Sequence, residues 1–249
     1  MRTYWFTAAG NTKRNPRYAT DAELLRRSLE RLGEDLDIVG EEATTRESAQ
    51  YFKITGTLNA PTWADRIVYI DADAFAVDIS GHEELAGTRF GRKKSPIFKS
   101  IVDGRDGKQN LDRRARLKAA VIEGGLPEFF NGEYKRAHTE WNAGVIMGPA
   151  DFMKELVECW AKWWKIIKDI NNGGWKYDQG SFRYAYFEVA LRKYGYEGLP
   201  RQWNWDLKNW GLNPKVNVLH RAGNPRKSLC DAYYKFTSKL LAGSADEPA

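Results

Sequence analysis

The sequence contains little cysteine. Its two cysteines, Cys159 and Cys230, stand far apart in the chain. A disulfide framework needs several cysteines, and a zinc motif needs ligands at close spacing, so the sequence indicates neither. Isolated cysteines are typical of proteins in a reducing compartment, and we therefore expect a cytoplasmic protein.

Long apolar runs are also lacking. No stretch approaches the roughly 18 consecutive apolar residues that a membrane-spanning helix needs. Arg2 leads directly into a strand-like pattern, so we expect no signal peptide. The sequence also lacks a proline- or serine-rich linker that would divide it. It therefore predicts a single domain over residues 1–240, followed by a flexible C-terminal tail at 241–249.

Acidic residues are fewer than basic ones. The chain has 33 Asp and Glu against 39 Lys and Arg, and its formal net charge is +6. This excess favours an anionic ligand or partner without identifying it. Many of the cations lie between Arg89 and Lys118, the basic segment, which is either a solvated surface or a footprint for phosphates. Its eleven cations are Arg89, Arg92, Lys93, Lys94, Lys99, Arg105, Lys108, Arg113, Arg114, Arg116 and Lys118.

Two carboxylates follow the most apolar strand pattern of the first hundred residues. Ile67 to Ile70 is a short run typical of a strand buried on both faces, and Asp71 and Asp73 come directly after it. Unpaired buried carboxylates are costly, so a cation should compensate them. At this spacing on a turn, both side chains can bind one hard cation, which prefers oxygen ligands. Acids two residues apart are common, but the end of a central strand is where open α/β sheets bind ligands.

The first forty residues predict a parallel sheet. Arg2 to Ala8 has a strand pattern, Thr20 to Glu23 forms a capping box that would open a helix, and Leu36 to Val39 is a second strand. A β-α-β start implies a right-handed crossover between parallel strands. The loop after the first strand should then lie on the same edge of the sheet as Asp71 and Asp73.

Later stretches carry polar residues inside or beside apolar patterns. A buried strand from Trp141 to Met147 is interrupted by Asn142 and Gly144, and glycine in a strand often marks the close approach of a ligand. Asp178 begins a helix, where it is either a functional residue or simply an N-cap. His220 ends the last predicted strand, shortly before a glycine and two cations, an arrangement that suits a metal and a phosphate.

Of three further patterns, the first has two interpretations and the other two have one each. Lys53 lies among the apolar anchors of residues 41–65 and is either a surface lysine or a ligand. A helix from Asp151 should point its tryptophans and other apolar side chains into a core. The loop from Leu199 to Trp205 is expected to expose its aromatic residues.

Four motifs in a fixed order resemble one enzyme family. They are Ile70-Asp71-Ala72-Asp73, Trp141-Asn142-Ala143-Gly144-Val145, Asp178-Gln179-Gly180 and Leu219-His220-Arg221-Ala222-Gly223. This order is similar to that of the retaining glycosyltransferases of the glycogenin and galactosyltransferase type, family 8, from the first strand to about Lys227. The resemblance implies an α/β protein with the GT-A fold, a Rossmann-like nucleotide-diphospho-sugar transferase fold with a mostly parallel central sheet. It also implies transfer of a sugar, with retention, from a nucleotide-diphosphate donor such as a UDP-sugar to a hydroxyl acceptor.

The resemblance assigns roles to individual residues. In that family two aspartates and a late histidine bind manganese, and Asp71, Asp73 and His220 stand at the matching positions, with Mn²⁺ or Mg²⁺ as the expected ion. Asp71 would thereby also hold the donor. The remaining roles are catalysis for Asp178 and Gln179, sugar contacts for Asn142 and Gly144, diphosphate contacts for Lys53 and either Arg226 or Lys227, and base contacts for Thr7, Ala8 and Tyr18.

The chain departs from the family in three places. The family ends in His-x-x-Gly-x-x-Lys-Pro-Trp, whereas here Gly223 is followed by Asn224, Pro225, Arg226 and Lys227, so either of the last two residues can replace the lysine. The family's Asn and Asp-x-x-Tyr of the first loop are absent, which leaves the base open. The basic segment has no counterpart in the family.

The acceptor has several interpretations. A polyanionic acceptor would explain the basic segment, and DNA with a hydroxymethylated base is one that offers a hydroxyl nucleophile. Trp203, Trp205 or Trp210 would then stack on a base taken out of the helix. The alternatives are a glycan, lipopolysaccharide or protein acceptor, or a non-catalytic module that binds carbohydrate or nucleic acid. A nucleotidyltransferase or a sugar-nucleotide hydrolase would use similar metal and carboxylate groups.

Overall fold

The architecture is that of a computed structural model of the chain. It describes residues 1–10, 18–40, 45–94, 108–126, 139–170, 178–196, 198–207, 215–221 and 227–243. The chain divides into two compact units, the first made of Met1–Arg89, Gly144–Ala150 and Leu199–Ala249, and the second of Phe90–Ala143 and Asp151–Gly198. The prediction of one domain and a tail at 241–249 stays a prediction, and residues 244–249 lie outside the described part.

Strands and helices alternate along most of the described chain. The strands are β1 (Thr3–Ala8), β2 (Leu36–Val39), β3 (Arg66–Ile70), β4 (Ala74–Ala76), β5 (Gly87–Lys94), β6 (Thr139–Pro149), β7 (Trp205–Asp206) and β8 (Val218–His220). The α-helices are α1 (Tyr18–Glu30), α2 (Arg46–Leu58), α3 (Lys108–Glu123), α4 (Ala150–Ile170), α5 (Asp178–Ala185) and α6 (Lys227–Leu241). A π-helix (Tyr186–Lys193) continues α5, and short 3₁₀ helices cover His82–Glu84 and Arg201–Asn204.

The larger sheet has the strand order β2-β1-β3-β6-β5. β1 is parallel to both of its neighbours, β2 and β3, as the β-α-β start predicts. All five residues of β3 are buried because the strand has a neighbour on each edge and covered faces, which explains its uninterrupted apolar pattern. β6 runs antiparallel to β3. The predicted α/β class is confirmed, with the detail that the sheet is mixed.

The first helix begins earlier than the sequence predicts. α1 begins at Tyr18, before the predicted capping box at Thr20, so that prediction is wrong. Asp21 lies inside the helix and is buried, where it serves an ion pair rather than a cap. The capping box belongs to α2: the Thr45 side chain accepts a hydrogen bond from the Ser48 backbone N–H, and Ser48 accepts one in return from the Thr45 N–H.

A smaller sheet with the order β4-β8-β7 completes the first unit. β4 pairs antiparallel with β8, and β7 pairs parallel with it. The prediction that Trp203 and Trp205 are exposed is wrong, because each packs into a different apolar cluster. Trp203 joins a cluster with Val145 and Val218, whereas Trp205 joins one with Tyr233 of α6. Trp210 lies outside the described residues.

The second unit is built around α4. Its predicted inward face is confirmed, and its tryptophans also satisfy their polar atoms. The Trp160 indole N–H donates to Ser181 Oγ at 2.9 Å, and that of Trp163 donates to a Glu188 carboxylate oxygen at 3.0 Å. The buried residues of α4 are Phe152, Met153, Leu156, Val157, Trp160, Trp163, Trp164, Ile167 and Ile170.

Part of the basic segment lies in α3. Arg116 and Lys118 are exposed there, while Leu117 and Val121 are buried, as on an ordinary solvated helix. Residues 95–107 lie outside the described part. Among the described helices, none combines the length and apolar character that a bilayer crossing requires.

Candidate metal centre

Three predicted ligands meet at the turn that joins the two sheets. Asp71 and Asp73 occupy the turn between β3 and β4, and His220 ends β8. The β4–β8 register places Ala74 opposite His220, so the residue before Ala74 comes beside the imidazole. His220 Nε2 lies 3.1 Å from Asp73 Oδ1 and 3.6 Å from Asp71 Oδ2. Strand pairing thus joins residues 147 positions apart in the sequence.

The geometry and chemistry of these three side chains fit a divalent cation. One ligand atom from each residue lies within 4.8 Å of the others. Two carboxylates and one imidazole form a mixed oxygen and nitrogen donor set, which suits Mn²⁺, while Mg²⁺ prefers oxygen and water. The predicted grouping of Asp71, Asp73 and His220 is therefore present in the structure.

The electrostatics of the cluster favour positive charge at its centre. Burial alone would raise the pKa of Asp73, but His220, followed by Arg221 and Lys53, holds that pKa below its ordinary value. For His220, burial would lower the pKa, yet the carboxylates of Asp73 and Asp71 raise it above its ordinary value. Both shifts follow from the close approach of carboxylates and positively charged groups.

Asp71 is held by two further side chains. Lys53 Nζ lies 2.8 Å from Asp71 Oδ1, and the Tyr69 hydroxyl donates a hydrogen bond to the same oxygen. Lys53 is buried and also lies over the Tyr69 ring, with Nζ 5.1 Å from its centroid, so its interpretation as a surface lysine is wrong. Burial, followed by the charge of Asp71, raises the pKa of Tyr69 well above its ordinary value, so the hydroxyl keeps its proton and donates.

Backbone hydrogen bonds fix the turn that carries the two carboxylates. The Asp71 N–H donates to the Gly144 carbonyl of β6 at 2.7 Å, and the Ala74 N–H donates to the Asp71 carbonyl at 3.1 Å. The Arg221 N–H donates to the Asp73 carbonyl at 3.0 Å. Gly144, predicted as a donor-binding residue, therefore supports the turn through its backbone.

A buried charged network lies beside the cluster. The Arg221 guanidinium forms an ion pair with Asp21 of α1, and the Tyr234 hydroxyl of α6 donates to the other oxygen of Asp21 at 3.1 Å. Burial raises the pKa of Asp21, although Arg221 and Tyr234 oppose that shift. This network could not be predicted from the sequence, because Asp21 and Arg221 are 200 residues apart.

The other nitrogen of His220 has a partner of its own. Nδ1 lies 2.8 Å from Asn204 Oδ1, and Asn204 is buried. Asn204 is not among the residues predicted from the sequence. Its position between two tryptophans in a predicted loop carries no signal for a polar role, so the sequence alone could not have identified it.

The residues predicted to bind the base lie at the end of β1 and the start of α1. Thr7 is fully buried, and its hydroxyl has no hydrogen-bond partner among the described residues. Ala8 is half-buried. Tyr18 packs against a cluster that includes Ala72, the residue between the two aspartates. The contact of these residues with the base stays a prediction.

The described ones among the remaining predicted residues lie on β6, α5 and α6. Asn142 lies in β6, two residues before Gly144, and is half-buried. Asp178 and Gln179 are the first two residues of α5, in the second unit. Lys227 is the exposed first residue of α6, and Arg226 lies outside the described residues. The roles given to these residues stay predictions.

Comparison with known proteins identifies the fold. No protein-family model matches the sequence, and no curated protein matches it. The chain is similar to the crystal structure of the galactosyltransferase LgtC in complex with donor and acceptor sugar analogues. The identity is 13%, the TM-score is 0.50, and the match covers 99% of this chain and 98% of the other.

A second similar structure is a glycosyltransferase involved in glycosylation of the major capsid of PBCV-1. Here the identity is 13%, the TM-score is 0.52, and the match covers 94% of this chain and 98% of the other. At such low identity these likenesses concern the fold. They confirm the predicted GT-A fold over nearly the whole chain.

Proposed function

We propose that the chain is a metal-dependent glycosyltransferase that moves a sugar from a nucleotide-diphosphate donor to a hydroxyl acceptor. The observation that carries this proposal is the convergence of Asp71, Asp73 and His220 on the turn after β3, within a GT-A fold. The order of the four sequence motifs supports membership of family 8, and with it a UDP-sugar donor.

Asp71, Asp73 and His220 would hold the divalent cation. A cation bound there supplies Lewis-acid stabilisation of the negative charge that develops on the leaving diphosphate. Lys53 would add a second positive charge, because its Nζ already reaches Asp71 Oδ1 at 2.8 Å. Mn²⁺ is the expected ion, since the imidazole ligand disfavours Mg²⁺.

The other groups of the chain would bind and orient the donor. Arg226 or Lys227 would neutralise the diphosphate, Thr7, Ala8 and Tyr18 would contact the base, and Asn142 and Gly144 the sugar. Asp178 and Gln179 would lie near the sugar carbon, which becomes oxocarbenium-like as the bond to the diphosphate lengthens. These assignments rest on the motif resemblance.

A panel experiment separates the function classes. The protein is incubated with Mn²⁺ and a set of nucleotide sugars, with and without acceptors, and release of the nucleotide diphosphate is followed. We expect slow hydrolysis or transfer with one donor. Binding without turnover would contradict the proposal and indicate a non-catalytic module.

Retention of configuration can be tested on the product of the same reaction. By the resemblance to family 8, the new linkage keeps the α configuration of the donor. The anomeric proton signal of the product distinguishes the two outcomes, and a β linkage would overturn the assignment to a retaining enzyme.

The proposed acceptor is a compound with a free hydroxyl group. The cations of the basic segment favour a polyanionic acceptor, such as hydroxymethylated DNA. Trp203 and Trp205 do not contribute to this proposal, because both are buried. A glycan, lipopolysaccharide or protein acceptor is the alternative, and one similar structure is involved in the glycosylation of a capsid.

The identity of the acceptor is tested by the transfer of labelled sugar to four kinds of acceptor. These are hydroxymethylcytosine DNA, plain DNA, oligosaccharides and protein, measured side by side at several salt concentrations. A DNA acceptor predicts labelling of the hydroxymethylated DNA alone and binding that weakens steeply with salt. Labelling of oligosaccharides or protein alone would reject the nucleic-acid acceptor. A cytoplasmic location belongs to the same proposal and agrees with two free cysteines.

A further inference from the structure

Asn204 contacts one of the two ring nitrogens of His220. Its Oδ1 lies 2.8 Å from His220 Nδ1, and an amide oxygen can only accept a hydrogen bond, so Nδ1–H is the donor. An imidazole that binds a metal is neutral and has one N–H, so with Nδ1–H bonded to Asn204 its lone pair would be on Nε2. Nε2 is the nitrogen that faces Asp73 at 3.1 Å and Asp71 at 3.6 Å.

The backbone around Asn204 is held tightly. Asn204 ends a 3₁₀ helix directly before β7, whose parallel register with β8 places Asp206 opposite His220. Its neighbours Trp203 and Trp205 are buried in different apolar clusters. Because both flanking side chains are anchored, the amide is held at a fixed distance from the imidazole.

We propose that Asn204 is a positioning residue that holds His220 in the tautomer whose Nε2 binds the divalent cation. This inference rests on the metal site of the proposed function. Histidine ligands of metals generally donate their second N–H to such a partner, and loss of the partner typically weakens metal binding by about 10- to 100-fold. Asn204 itself does not touch the metal position.

Two substitutions distinguish a positioning role of Asn204 from a role in packing alone, because the two roles predict opposite effects on Mn²⁺ affinity. Asn204→Leu keeps the approximate volume and removes the acceptor, so we expect Mn²⁺ affinity to fall by roughly 10- to 100-fold. Asn204→Asp keeps an acceptor for Nδ1–H, so we expect an affinity within a few-fold of the wild type. If Asn204 only filled space, leucine would be tolerated and the buried carboxylate would be the harmful change.

The experiment is a titration of the full chain with Mn²⁺ alone, in which free Mn²⁺ is measured by electron paramagnetic resonance. Asn59→Leu is the matched control, because Asn59 is exposed at the end of α2. In a His220→Ala background, Asn204→Leu should cause no further loss of affinity, since it acts through His220.

The possible results separate the two hypotheses. Unchanged affinity in Asn204→Leu, or an equal additional loss in the His220→Ala background, would overturn the role of Asn204 and leave the metal site intact. If the wild type binds no Mn²⁺, the metal site of the proposed function fails, and the role of Asn204 fails with it.

A second measurement needs no variant at Asn204. The wild-type chain has three histidines, so long-range ¹H–¹⁵N spectra of the Zn²⁺-loaded protein are readily assigned with His220→Ala as reference. We expect metal-bound Nε2 and a slowly exchanging Nδ1–H on His220. Metal binding through Nδ1, or a rapidly exchanging Nδ1–H, would contradict the inference.

Discussion

The two carboxylate oxygens of Asp71 have different surroundings. Oδ1 faces Lys53 and the Tyr69 hydroxyl, while Oδ2 faces His220. One oxygen is thus used to orient the side chain, and the other is directed to the proposed metal position. Asp71 and His220 are therefore each fixed by groups that lie outside the ligand set.

Removal of the Tyr69 hydroxyl tests this orientation. Tyr69→Phe deletes one hydrogen bond to a charged group, which is worth about 1.5–3 kcal/mol. We expect the dissociation constant for Mn²⁺, measured by titration, to increase by roughly tenfold or more. Tyr4→Phe is the matched control on the neighbouring strand, because the Tyr4 hydroxyl bonds to Asp37 instead. Equal Mn²⁺ affinity in wild type and Tyr69→Phe would contradict the proposed orientation.

Single residues differ in how far the sequence reveals them. Asp71, Asp73 and His220 could be predicted because each lies at the end of a recognisable apolar strand, and strand ends gather at one edge of such sheets. Asn204 could not, because its link to His220 is created by the β7–β8 register across 16 residues of chain. Asp21 matches a capping pattern locally, and its real partner is far away in sequence.

At the scale of elements, α2 brings Lys53 to the candidate metal centre because the helix packs closely on β1. A Cβ at Gly56 would lie 2.5 Å from Phe6 Cε2. The Phe6 ring is itself enclosed, stacked on Tyr4 at 5.6 Å and tilted against Tyr69 at 5.2 Å between centroids. Lys53 lies one turn before Gly56, so this close approach determines how near Lys53 comes to Asp71.

Gly56→Ala should therefore be destabilising. Overpacking costs about 1–3 kcal/mol in a core that cannot yield, against a gain of about 1 kcal/mol from the helix propensity of alanine. We expect a lower free energy of unfolding in urea and, because α2 is displaced, lower donor turnover.

A second substitution provides the control for Gly56→Ala. Phe6→Leu in the same chain makes room for the new Cβ, so the double variant should lose less stability than the sum of the single variants. Strictly additive losses would show that the two sites do not meet, and would contradict the close approach.

The ion pair between Asp21 and Arg221 connects α1, α6 and the end of β8. Asp21→Asn leaves a buried guanidinium without its counter-charge, which typically costs about 3–5 kcal/mol. We expect a clear fall in the free energy of unfolding, measured by urea denaturation. Glu23→Gln is the control on the same helix, where the ion pair with Arg26 is exposed, and it should leave the stability unchanged. Equal stability of Asp21→Asn and wild type would show that the pair does not hold these elements together.

The direction in which a strand pairs with its neighbour is harder to predict from sequence than whether a segment is a strand or a helix. The parallel pairing of β1 with β2 and β3 follows from the β-α-β start, because a crossover helix returns the chain to the same edge. The antiparallel direction of β6 could not be predicted, since a buried apolar run looks the same in either direction. The inward face of α4 was predicted because helical periodicity is a strong local signal.

At the scale of the whole molecule, the candidate site belongs to the first unit. That unit contains the proposed metal ligands, the residues that support them and the turn that joins the two sheets. The net charge of +6 agrees with a nucleotide-diphosphate donor, which is an anion. The GT-A fold extends over nearly the entire chain. The proposed function is metal-dependent breakdown of a nucleotide sugar by this fold.

The most direct test is the rate of nucleotide diphosphate release from the preferred donor, measured with Mn²⁺ and with chelator. Asp73→Asn removes one proposed ligand, and Asp35→Asn is the matched control at an exposed position. We predict turnover in the wild type and in Asp35→Asn with Mn²⁺, no turnover in chelator or in Asp73→Asn, and recovery of the wild type when Mn²⁺ is added in excess. Full turnover in chelator, or in Asp73→Asn, would contradict the account.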